Sequence, residues 1–172
     1  MVDDSGEEPW GKYGLITVPA IVITGSIIGV LSGSGDANGW YQTLQKPSFQ
    51  PPPIAFPIAW TILYALMGVA LAMILALPPS PRRRLGLILF FVQLALNFAW
   101  SPIFFGGHDI GLAKIVIFLM AAIAAAAAGQ FLRLRRVAGL LLIPYLAWLI
   151  FAAMLNTAID SLNPGAGASL LG

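Results

Sequence analysis

The sequence predicts an all-α integral membrane protein, a bundle of five transmembrane helices whose first two are joined by a long proline-rich loop acting as a lid. Composition is the first reason. Of 172 residues, 59% are hydrophobic and 9% charged, with a mean hydropathy of +0.87, whereas soluble domains carry about 25% charged residues. Length is the second. Apolar runs at 13–32, 56–77, 85–105, 110–132 and 137–160 each suffice for a helix that needs roughly 17 to 25 residues, at ~1.5 Å apiece, to cross a bilayer. Punctuation is the third, because Gly, Pro or Arg clusters separate the runs.

Taken in order, the first run follows Asp3, Asp4, Glu7 and Glu8. A secretory signal wants a positive flank there, so this run reads as a retained helix. Gly33-Ser34-Gly35 ends it, and the lid follows: Trp40-Tyr41, Lys46-Pro47, Pro51-Pro52-Pro53, then Phe56-Pro57, Trp60 and Tyr64. The stretch is too rich in proline for a helix or a central strand. It therefore belongs at the water interface or inside protein, never against lipid, and reads as a cover over an aromatic pocket. Pro78-Pro79-Ser80-Pro81 with Arg82 to Arg84 ends the second span, Gly106-Gly107-His108-Asp109 the third, and Arg133 to Arg136 the fourth. Within the fourth, the run Ala121 to Ala128, broken only by Ile123, lets neighbouring helices approach closely. The whole chain, 1–172, reads as one membrane domain whose low-complexity tail, 163–172, is expected to fray.

Charge gives orientation and excludes several functions. Among the nine Lys and Arg, Lys12, Arg82, Arg83, Arg84, Arg133, Arg135 and Arg136 fall on the N-terminal side of the bundle, with Lys46 and Lys114 on the other. The positive-inside rule then puts the N-terminus on the cytoplasmic side, the lid outside and the C-terminus opposite the N-terminus. That count favours an inner-membrane insertion route without deciding between a bacterial inner and outer membrane. Two short arginine clusters at helix ends are headgroup anchors, not a nucleic-acid surface. With no Cys, disulfides, thiolate catalysis and c-type haem attachment are excluded. His108 is the sole histidine, so one chain cannot build a multi-histidine metal site. No Asp or Glu sits in the middle of a span, which leaves a proton-coupled carboxylate relay without a carrier, and no Ser–His arrangement suggests acyl transfer.

Polar and aromatic residues inside the spans need a reason. The third span sets Gln93, Asn97, Trp100 and Phe104 on one face, the fifth Tyr145, Trp148, Ala152 and Asn156, and the second Trp60 and Tyr64. These faces can converge on one cavity. An Asn or Gln here serves as interhelical glue or as a ligand contact, the former being the commoner use. Trp10 and Trp40, near helix ends, read as interfacial belt residues. Trp60, Trp100 and Trp148 lie deeper and offer flat faces with one N–H donor each.

Four motifs in order then carry a resemblance: Trp40-Tyr41-Gln42-Thr43-Leu44-Gln45-Lys46-Pro47; Pro51-Pro52 and Phe56-Pro57 with Trp60 and Tyr64; Gln93-Leu94-Ala95-Leu96-Asn97 with Trp100-Ser101-Pro102-Ile103-Phe104-Phe105-Gly106; and Pro144-Tyr145-Leu146-Ala147-Trp148 ending in Leu155-Asn156. Over roughly 13–160 the chain resembles the TspO/MBR family of bacterial tryptophan-rich sensory proteins and mitochondrial translocator proteins. The resemblance implies a five-helix bundle, usually a homodimer, with a pocket for porphyrins, for isoquinoline and benzodiazepine-type drugs and, in animals, for cholesterol. It implies a pocket lined by Tyr41, Pro51, Trp60, Asn97, Trp100, Trp148, Ala152 and Leu155. It also implies that Trp60 and Trp148 match tryptophans implicated, in some bacterial members, in light-dependent breakdown of protoporphyrin IX. Leu155-Asn156 continues Thr157-Ala158-Ile159-Asp160, without the aromatic and basic residues of the animal cholesterol motif, which puts sterol binding there in doubt. Phe90, Phe91 and Phe98 of the third span and the alanines of the fourth are the candidate dimer surfaces.

The leading expectation is a receptor or translocator-type protein for porphyrin-like flat ligands that influences tetrapyrrole traffic or stress signalling. It requires no resident cofactor, the porphyrin being ligand or substrate. The alternatives are a light- and oxygen-dependent protoporphyrin-degrading enzyme working through Trp60 and Trp148, a sterol or lipid transporter, and a scaffold.

Overall fold

The structure, a computed structural model, describes residues 9–167; Asp3, Asp4, Glu7 and Glu8, and residues 168–172 of the tail, lie outside that range. Regular structure among the described residues is helical: α1 (Trp10–Leu31), α2 (Gly39–Thr43), α3 (Ala55–Leu75), α4 (Pro81–Ser101) running into a π-helical turn (Pro102–Gly106), α5 (Ile110–Leu134), α6 (Arg136–Leu140) and α7 (Ile143–Leu162). Five segments, α1, α3, α4 with its turn, α5, and α6 with α7, are long and apolar enough to cross a membrane. The expected spans are all present, with ends moved by a few residues.

Local chemistry sets those ends. Ser80 Oγ accepts from Arg83 N at 3.2 Å, with Pro81 at the first helical position of α4, where its missing N–H is one of the unpaired donors anyway. Arg83 also reaches back to end α3, donating through Nε to Ile74 O at 3.0 Å and through Nη2 to Leu75 O at 2.9 Å; a cation there complements the negative end of the helix dipole. Asp109 Oδ1 accepts from Leu112 N at 2.8 Å and starts α5. Proline explains two irregularities the sequence reading does not include. After Pro102 the turn widens, Gly107 N donating to Pro102 O at 2.8 Å, five residues back. The last span breaks at Leu141-Leu142, ahead of Pro144, which has no N–H to donate to Leu140.

The lid corrects a further expectation. Gly39–Thr43 forms a short helix, capped by Asn38 Oδ1 accepting from Tyr41 N at 2.9 Å. It lies ahead of Pro47, so the proline argument applies only to the rest of the loop. Pro57 sits in the first turn of α3, where a missing N–H is tolerated.

Around the bundle, α1 packs on α3, α3 meets α6 and α7, α7 lies on α5, α5 on α4, and α4 touches α1. Small residues bring these helices together. A Cβ on Gly68 would lie 2.6 Å from Val18 Cα, and beside it Thr17 Oγ1 donates to Gly68 O at 2.7 Å, tying α1 to α3. Ala124, Ala127 and Ala128 are buried. Phe90, a candidate dimer contact from sequence, is a core residue, 0% exposed and stacked on Phe131 of α5 at 5.6 Å. Its neighbour Phe91 remains 51% exposed. At the lid end, Lys114 of α5 and Asp160 of α7 form an ion pair.

Candidate functional site

Beneath the lid, α1, α3, α4, α5 and α7 enclose a cavity of about 460 Å³, within the ~300–1,000 Å³ of small-molecule sites. Tyr41, Trp60, Asn97, Trp100, Trp148, Ala152 and Leu155 all line it. Pro51 is not in the lining; Pro53 is. Successive residues of an extended proline run point in different directions, and spacing alone does not say which one faces inward.

Aromatic rings form most of the wall. Trp60 and Trp148 meet edge to face with centroids 6.3 Å apart, Phe56 meets Trp148 edge-on at 5.9 Å, and Trp60 lies 5.2 Å from Tyr64. Nearer the lid, Trp100 stacks on Phe104 at 4.9 Å, and Tyr41 contacts Phe104 edge-on at 6.0 Å. Each such pair contributes ~0.5–1.5 kcal/mol beyond the area it buries, which stiffens the wall.

Behind the wall runs a chain of hydrogen bonds. Tyr64 OH donates to Asn97 Oδ1 at 2.8 Å, Asn97 Nδ2 donates to Tyr145 OH at 3.1 Å, and Tyr145 OH donates to Gln93 Oε1 at 2.7 Å. Three helices are thereby tied together, which gives Asn97 and Gln93 the role of interhelical glue, while Asn97 also faces the cavity. Two buried polar atoms belonging to cavity residues are different: Trp100 Nε1 and Asn156 Oδ1 have no hydrogen-bond partner among the described residues. Leaving such a group unpaired costs about 1–3 kcal/mol.

The lid is held from two sides. Tyr41 OH donates to Gln50 Oε1 at 3.2 Å, and Lys46 Nζ sits 4.5 Å from the centre of the Tyr41 ring. Burial, helped by the nearby Asp36 carboxylate and opposed by the Gln50 bond, pushes the Tyr41 phenol up to about 12. Trp40, expected at the interfacial belt, is half-buried and also packs within the protein: its ring stacks on His108 at 4.4 Å, and its indole N–H donates to Ala166 O at 3.2 Å. Asn163 and Ala166, assigned by sequence to a frayed tail, are fastened to the lid. Gln45 N donates to Asn163 Oδ1 at 2.7 Å, and Asn163 Nδ2 donates to Gln45 O at 2.9 Å.

Helix α1 contributes what sequence reasoning missed. Gly25, Ser26 and Gly29 line the cavity, and a Cβ on Gly25 would fall 2.2 Å from the Tyr64 ring. The signal was the small-residue spacing Gly25-x-x-x-Gly29.

A five-span helical bundle with an aromatic chamber under a proline-bearing lid defines a class, that of multi-pass integral membrane proteins built around an intramembrane cavity. Within it, the chain belongs to the TspO/MBR family, whose profile it matches over residues 16–162. It is 43% identical over 131 residues to the tryptophan-rich protein TspO of Chlorobaculum tepidum, covering 74% of this chain and 82% of that one. It is 38% identical over 160 residues to the translocator protein of Sus scrofa, covering 91% and 93%. With the tryptophan-rich sensory protein of Cereibacter sphaeroides it shares 39% identity over 124 residues, covering 72% and 77%.

Proposed function

We propose that this protein is a membrane receptor or translocator-type protein that takes porphyrins, protoporphyrin IX and haem-like tetrapyrroles, and other flat apolar ligands into the cavity, and so influences tetrapyrrole traffic or stress signalling. The observation that carries the reading is the wall itself: Trp60, Trp148 and Trp100 line one chamber and offer broad π faces with few polar groups, which suits a flat apolar ring. The names translocator protein and tryptophan-rich sensory protein among its relatives support a role in moving or sensing a ligand. Isoquinoline and benzodiazepine-type compounds present similar faces to the same wall.

The test is a protoporphyrin IX titration of the detergent-purified protein, followed by tryptophan quenching in darkness, beside the double variant Trp60→Phe/Trp148→Phe. Saturable quenching in the wild type, weakened at least ten-fold in the variant, is expected. Quenching that never saturates would sink the reading.

The contact between Trp60 and Trp148 favours a second reading, in which the bound porphyrin is degraded in light and oxygen while the tryptophans exchange an electron with its excited state. Illuminating the same samples tests it. Bleaching of the porphyrin bands in the wild type and its absence in the double variant are expected; equal bleaching in both assigns the loss to free photochemistry.

A further inference from the structure

Trp100 near the end of α4 and Asn156 near the end of α7 both line the lid-side part of the cavity, and each holds a buried polar atom with no partner. The Asn156 amide has a fixed sense. Its Nδ2 donates to Ile110 O at 3.2 Å, and a carbonyl can only accept, so Oδ1 must be the atom left over. The residue is 2% exposed. Such atoms in a packed core would be a defect. Both belong to residues that line the cavity, and as each atom is covered in the ligand-free protein, an occupant reaches it by a turn of the side chain toward the cavity.

We infer that the lid end of the cavity is a polar subsite, in which Trp100 Nε1–H donates to, and Asn156 Oδ1 accepts from, acid groups on one edge of a flat apolar ligand. The inference rests on the porphyrin-type reading above and adds the edge chemistry. A carboxyl group drawn into an apolar cavity keeps its proton, so it presents an acceptor and a donor together, the two partners these atoms lack. The ligand body lies against Trp60 and Trp148, and its acid edge points toward the lid.

Protoporphyrin IX, with two propionic acid arms on one edge, and octaethylporphyrin, with an all-ethyl rim, separate edge from ring. The wild type is expected to bind the former at least ten-fold more tightly by quenching titration. Asn156→Leu, which removes the whole amide and with it the Nδ2 bond to Ile110 O, should erase most of that preference and leave octaethylporphyrin affinity unchanged. Trp100→Phe, which removes the N–H together with part of the aromatic wall, should instead weaken both porphyrins and narrow the preference. Trp100→Phe deletes an unpaired donor but also leaves part of the indole's space empty, so the melting temperature of the ligand-free protein reads the structural cost and the ratio of the two porphyrin affinities reads the subsite. Equal preference in wild type and variants overturns the subsite, as does a lowered melting temperature with proportionate loss of both porphyrins. A wild type that binds octaethylporphyrin and protoporphyrin IX equally also overturns it while leaving the aromatic-wall reading standing. One that binds neither overturns the porphyrin reading and, with it, the subsite that rests on it.

Discussion

Gly25 shows how one residue shapes the chamber. A hydrogen in place of a side chain lets Tyr64 lie against α1, and Tyr64 in turn fixes Asn97. The ring cannot retreat without breaking that bond. Gly25→Ala should therefore destabilise by about 1–3 kcal/mol, the usual cost of overpacking. Gly29, one turn on, has nothing within 4 Å of where a Cβ would stand, so Gly29→Ala should be neutral or slightly stabilising through helix propensity. Thermal melts of the two variants in one detergent check the contrast, and equal melting temperatures would refute the packing argument. The cavity-lining tryptophans were legible from sequence because a large ring deep in a span needs a reason. For Gly25 the Gly25-x-x-x-Gly29 spacing marks a close helix approach but not the Tyr64 ring that fills the space, and the unpaired atoms of Trp100 and Asn156 depend on side-chain directions that spacing does not fix.

Among the elements, the spans were legible because hydropathy reports burial in lipid, and Gly, Pro and Arg clusters marked where they end, while Pro102 and Pro144 distort helix inside spans. The lid was less so. Its short helix and its fastening to the end of α7 depend on contacts between residues far apart in the chain, such as Asn163 with Gln45 and Trp40 with Ala166, which no local pattern encodes. That fastening adds to the burial of Tyr41 and Leu44 under the lid: Asn163 pairs with both the N–H and the C=O of Gln45, and each net bond contributes about 1 kcal/mol. Asn163→Ala should leave the five spans intact while the backbone amides around Gln45 exchange hydrogen several-fold faster and bound ligand escapes faster. Hydrogen exchange read by mass spectrometry decides this: unchanged protection at Gln45 would mean the lid is held from elsewhere, by Tyr41 and its partners.

Charge organises the molecule as a whole. Lys12, Arg82 to Arg84, and Arg133, Arg135 and Arg136 lie at one end of the bundle, while Asp36, Asp109 and Asp160 share the lid end with Lys46 and Lys114. Because translocating arginine-rich segments is disfavoured, this asymmetry should place the arginine end in the cytoplasm and turn the lid outward. A chain with no Cys makes the test direct. Single cysteines are introduced at Ala37 in the lid loop and at Pro79 beside the arginines, both exposed, and treated with a membrane-impermeant maleimide on intact cells. Ala37→Cys should label at once and Pro79→Cys only after permeabilisation. The opposite pattern would invert the molecule and would mean that ligands reaching the cavity past the lid come from the cytoplasm. With the expected pattern, the lid faces the outer side and its fastening by Asn163 controls access from there, so a faster ligand off-rate in Asn163→Ala should appear as faster release to the outer medium from oriented vesicles.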